Sequence, residues 1–113
     1  MDRPLRFSQL SAPRQVLVRL CQSINFGYLE GLEVRRGEPV FSPAPTAFVE
    51  VKLDAANGLP PEADLADFEL RAEVGRLTEQ LDQLGDGLIE RIDIRYGIPR
   101  RVLIERPIRG VRR

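Results

Sequence analysis

Two glutamates and a run of C-terminal arginines are the residues of this chain whose types and placement could do chemistry. Glu30 and Glu90 occupy matching points of two similar passages, sixty residues apart. A fold that relates those passages by a two-fold axis could set the two carboxylates near each other, able to hold a cation or to share a proton. In the plainer reading each pairs with a local arginine or lies in water at a strand edge, and that is the reading adopted. Arg106, Arg109, Arg112 and Arg113 form a basic tail whose guanidinium groups could contact phosphates. Their alternative partner is the acidic stretch from Glu62 to Asp86, where Arg71 and Arg76 are the only bases. Glu30, Glu90 and these four arginines are the candidate partner contacts.

Other chemistries have little to build on. The chain has no histidine, which removes the commonest general base and metal ligand. The lone Cys21 lies among apolar residues at helical spacing and reads as a small buried hydrophobe. The glycines fall at helix ends and turns rather than in a phosphate-binding loop. Carboxylates such as Asp64 and Asp67 read as a solvated helix face. No catalytic residue, cofactor or metal is expected, so the chain reads as a non-enzymatic protein-interaction or assembly module, self-associating or binding another protein. The alternative is a nucleic-acid-binding accessory protein that uses the C-terminal arginines. Against it stand zero formal net charge, a pI of about 6.3 and the lack of interleaved aromatics along the tail.

At 113 residues, with 42% apolar and 30% charged residues, the expectation is a single domain over 1–113 of ordinary globular composition. No apolar run is long enough to span a bilayer and no secretory signal is evident, so a cytoplasmic setting without membrane contact is expected.

The elements that must position these residues follow from local pattern. Ser11 reads as an N-cap with Pro13 in the first turn, and Val16, Leu17, Leu20, Cys21 and Ile24 make one helical face over about 12–24. Asn25 suits a left-handed helix end. The stretch 28–36 alternates as a strand carrying Leu32 and Val34, and Arg36-Gly37-Glu38-Pro39 turns it toward Val40 and Phe41. Ala47, Val49, Val51 and Leu53 alternate with Phe48, Glu50 and Lys52, the cleanest half-buried strand pattern in the chain. A second helix is predicted to open near Glu62 and Asp64. It carries Leu70, Val74, Leu77, Leu81 and Leu84, with Leu65 and Phe68 upstream, and stops at Gly85. A second strand-turn-strand passage holds Ile92 and Ile94, the turn Tyr96-Gly97-Ile98-Pro99, and a return over Val102 to Glu105. The first ten residues show no period and are expected to be an arm.

The two helix-hairpin passages match at one ungapped offset: Gly27 with Gly87, Glu30 with Glu90, Arg35 with Arg95, Gly37 with Gly97 and Pro39 with Pro99. Leu29 and Ile89 have the opposite parity from Leu32, Val34, Ile92 and Ile94, and a repeated bulge would reconcile them. Repeat one is set at about 12–42, a connecting strand and loop at 43–60, repeat two at about 61–105, and the basic tail at 106–113. The first copy, Ile24-Asn25-Phe26-Gly27, an alternating strand, then Arg36-Gly37-Glu38-Pro39-Val40, resembles the short bacterial proteins of YezD type. The resemblance covers residues 16–41, implies a helix plus hairpin unit, and transfers no site. The expected architecture is α+β, an internally duplicated helix-hairpin unit forming an antiparallel sheet of four or five strands with two helices on one face. Its expected core is Leu17, Leu20, Ile24, Leu32, Val34, Val49, Val51, Leu77, Leu81, Leu84, Ile92 and Ile94.

Overall fold

In the computed structural model, which describes residues 6–106, Ser11 and Asn25 bound the first helix, α1 (Ala12–Ile24). The Ser11 hydroxyl accepts from the Arg14 amide at 3.4 Å and donates to Glu38 at 2.6 Å, so the cap also ties the helix to the first hairpin. Asn25 ends the helix at φ 65°, and its amide donates to the Cys21 carbonyl. Helix α2 (Ala72–Leu84) ends in the same way at Gly85, φ 67°.

The start of α2 differs from the sequence expectation. Glu62 and Asp64 lie in a separate 3₁₀ turn, Pro61–Asp64, and the residue capping α2 is Arg71. The intervening segment, with Leu65 and Phe68, is not helical, because it binds the N-terminal segment and Arg19 of α1 instead of itself. The Asp67 carboxylate accepts from the Ser8 amide at 2.8 Å and from Arg6 Nε at 2.9 Å. The Phe7 amide donates to the Phe68 carbonyl, and the two rings stack at 4.9 Å. Residues 6–10 are accordingly no arm. Phe7 and Leu10 are buried with Val18, Phe68 and Val74 in a small satellite core.

The sheet comprises β1 (Gly27–Arg35), β2 (Glu38–Val40), β3 (Thr46–Val49), β4 (Gly87–Arg95) and β5 (Ile98–Ile104). All pairings are antiparallel, in the order β2-β1-β4-β5, with β3 continuing beside β1 along the edge that β2 begins. Each hairpin closes through two residues of positive φ, Arg36-Gly37 and Tyr96-Gly97, the twist that suits a tight antiparallel turn. The buried residues of β1 are Leu29, Leu32 and Val34, and those of β4 are Ile89, Ile92 and Ile94. Two residues rather than one therefore separate the first buried position from the second in each strand. Gly31 takes φ 74° at that point in β1, and the β4–β5 register shifts between Ile89 and Arg91. These irregularities resolve the parity conflict of Leu29 and Ile89.

Leu17, Cys21 and Ile24 of α1 and Leu77 and Leu81 of α2 join those six in one cluster, so both helices cover the same face of the sheet. Leu20 and Leu84 pack against that cluster only partly buried. Val49 and Val51, expected in the core, are exposed at 53% and 63%. β3 is an edge strand that only the end of α1, at Ser23 and Ile24, approaches. Its last rung is the Glu50 amide on the Phe26 carbonyl, after which Asn57 binds both the amide and the carbonyl of Lys52 and folds the chain back on itself. Alternation there marks a strand face with nothing over it.

The two helix-hairpin passages meet through β1 and β4. Gly27 pairs with Ile94 and Val34 with Gly87, one rung viewed from either passage. Among the described residues no helix is long and apolar enough to cross a membrane.

Candidate functional site

The central rungs of the β1–β4 ladder hold Glu30 and Glu90, but not as a facing pair. Glu30 stands opposite Arg91, while Glu90 lies at the β4 irregularity and is exposed. Arg106 donates to Gln80 on α2 at 3.3 Å, and Arg100 approaches Glu73 on the same helix at 3.8 Å. Arg109, Arg112 and Arg113 lie outside the described residues. Asp67 belongs to the N-terminal clamp and not to a helix face, so it and Asp64 share no helical surface. Burial pushes the Cys21 thiol up to about 12, which keeps it protonated at neutral pH. Among the described residues no three His, Cys, Asp or Glu side chains come together as a metal-binding group.

The structure brings together something else, on the sheet face that the helices leave open. Tyr28 of β1 is the register partner of Phe48 of β3, and their rings stack with centroids 4.6 Å apart and planes 16° from parallel. The Arg91 guanidinium sits 3.7 Å from the Tyr28 centroid, a cation over a π face. Asp93, opposite Tyr28 in the ladder, accepts from Arg91 Nε at 2.7 Å and from Arg101 Nε at 2.7 Å. The bond from Arg91, aided by Arg101, holds the Asp93 carboxyl below the usual range, and the same bond raises Arg91. Both guanidiniums are thus fixed in direction. Beside this column Phe26 stacks on Tyr96 at 5.9 Å, with the Lys52 ammonium 4.9 Å from its ring. Phe26, Tyr28, Phe48, Arg91, Asp93 and Arg101 border an open cleft of about 640 Å³ that Arg95 and Arg100 also line.

A second open cleft, of about 610 Å³, lies across the same face. Its lining includes Gly31, Glu33, Arg35, Asp86, Gly87 and Leu88, the positions sixty residues from Arg91, Asp93, Arg95, Phe26, Gly27 and Tyr28 of the first. The glycine, the carboxylate and the arginine recur as Gly87, Glu33 and Arg35, but the other three side chains do not. Leu88 replaces Tyr28, Asp86 replaces Phe26, and Gly31 replaces Arg91. Where Phe26 stacks on Tyr96, Asp86 accepts from the Arg36 amide at 2.8 Å. Arg35 is engaged by Glu33 of its own strand.

Stacking and anion contact are what the first cleft offers chemically. Reasoning from sequence missed it because the column is assembled from three strands by their register. The one available signal was Phe48, an aromatic on the polar side of an alternating segment.

No protein-family model matches the chain, and no curated protein or solved structure matches it either.

Proposed function

We propose that this chain is a non-enzymatic assembly module that associates with a second copy of itself along the β3 edge, in a cytoplasmic setting. The observation that carries the reading is the exposed apolar surface of Val49, at the end of β3, and of Val51 and Leu53 just beyond it, exposed at 53%, 63% and 96%. Among the described residues β3 pairs with β1 alone, so one side of it offers free backbone donors and acceptors beside that surface. An edge of this kind is what proteins normally shorten, charge or cover, and a symmetric partner strand would cover both its polar and its apolar groups.

The same reading includes an origin for the fold by duplication of one helix-hairpin unit. Its support is the recurrence of both helices and their hairpins at an offset of sixty residues. Further support comes from the self-matching β1–β4 register and from reciprocal hydrogen bonds between each turn and the other unit's helix end. A unit that once paired through its first strand as a dimer would leave these relations after fusion.

Sedimentation across a concentration series tests the assembly. A dimer is expected, and Val49→Lys combined with Val51→Lys should return it to monomer with unchanged circular dichroism. A strict monomer at high concentration would refute the proposal.

A further inference from the structure

We infer that the aromatic and arginine cleft on the open sheet face binds single-stranded nucleic acid, with a base stacked on the Phe48–Tyr28 column and a phosphate on Arg95. Comparison of the two clefts is the first ground. The second cleft shows that the backbone frame accommodates leucine and aspartate where the first has Tyr28 and Phe26. Folding therefore does not call for an aromatic column, and its presence in one cleft alone needs another reason.

Charge supplies the second ground. Four arginines line the first cleft against Glu50 and Asp93, and one of them, Arg100, is also within 3.8 Å of Glu73 on α2. Asp93 is already shared by Arg91 and Arg101, and the shared carboxylate acts as a brace that aims both guanidiniums. Arg95 has no carboxylate partner among the described residues, unlike its counterpart Arg35, which Glu33 holds. A polyanion matches the surplus.

The combination selects the class of polyanion. Phe48 keeps 41% of its surface exposed at the end of the column, a π platform that any unpaired base can extend. A duplex hides its base faces and a phospholipid headgroup has none. From β3 across β1 to β4 the face measures about 10 Å at ordinary strand spacing, so a strand can lay a base on Phe48 and a phosphate on Arg95. Open sheet faces bearing aromatics serve single-stranded RNA in this manner.

Fluorescence anisotropy of the full chain with labelled oligouridine tests this, with a duplex of equal length and free uridine monophosphate as comparison probes. Salt-sensitive binding of the single strand is expected, stronger than for either comparison probe. Phe48→Ala should weaken it about 5- to 150-fold, the range for losing one stacked base. Arg95→Ala should flatten the log-log salt slope by about 0.7, the single-strand value for one phosphate. Arg95 is exposed and unpaired, so this variant tests the site without touching the fold. Leu88→Ala and Arg35→Ala, in the other cleft, should leave affinity unchanged. The inference fails if the single strand does not bind at low salt, or if the duplex or the mononucleotide binds as tightly. It also fails if removal of the residues after Glu105 abolishes binding that Phe48→Ala and Arg95→Ala spare. Conversion of a dimer to monomer by Phe48→Ala would assign the face to a second copy and likewise overturn it.

Discussion

The amide of Gly97 donates to the carbonyl of Asn25 at 2.8 Å, joining the turn of the second hairpin to the end of the first helix. Gly37 and Gly85 make the reciprocal bond at the same distance. Each helix end is thus read twice, by its own left-handed cap residue and by the other hairpin's turn. The asymmetry lies in the cap residue, because the Asn25 side chain also donates to the Gly58 carbonyl while its Oδ1 is buried without a partner. Asn25→Gly should retain the helix stop and stay within about 1 kcal/mol of the parent, since it loses one hydrogen bond and removes one unsatisfied atom. Asn25→Ala places a β-carbon at positive φ and should cost about 1–2 kcal/mol more. Urea denaturation of the two variants checks the order.

Gly27 and Gly87 occupy equivalent starts of β1 and β4 but have different neighbours. A β-carbon at Gly27 would lie 1.9 Å from the Phe48 carbonyl oxygen, whereas at Gly87 it would meet only the Leu84 side chain, at 2.8 Å. Gly27→Ala should push β3 off β1 and cost about 1–3 kcal/mol. Gly87→Ala should cost less, because a leucine side chain can move where a strand backbone cannot. Denaturation midpoints, with amide exchange on the β3 rungs, distinguish the two.

Leu32 and Ile92 have no exposed surface, so truncating either to alanine should cost about 2–5 kcal/mol through lost burial and an unfilled cavity. Val51→Ala should change stability by less than about 0.5 kcal/mol. A core-sized loss at Val51 would mean that this surface is covered within the monomer.

Asp67 links the N-terminal segment to the approach to α2, and its carboxyl is held down to about 2, first by the hydrogen bond from Arg6 and then by the Ser8 amide. A folded value below the ordinary 3.9 or so means that the clamp contributes fully above that ordinary value and is lost as the pH falls through about 2. The Ser8 amide, followed by NMR during acid titration, should be released with a midpoint near 2. In Asp67→Asn the dependence should be absent.

By itself the sequence determined the features whose causes are local. Asn25 and Gly85 end their helices, and Arg36-Gly37 and Tyr96-Gly97 turn their hairpins, because those conformations depend on the residue types at the spot. The inward faces of Leu32, Val34, Ile92 and Ile94 follow from strand period alone, and so does the antiparallel α+β class once two one-sided helices need cover. Tertiary structure decided the rest. Leu65 and Phe68 keep a helical spacing, yet they lie outside α2, because Phe7 pairs and stacks with Phe68 and Arg19 holds the Leu65 carbonyl. Val49 and Val51 alternate like core residues and lie in solvent, since alternation states which side a residue faces and not whether anything stands over that side. The column of Phe48, Tyr28 and Arg91 belongs to three strands. Its members meet only because the β1–β3 and β1–β4 registers place them side by side, and register is a relation between distant segments that no single segment carries.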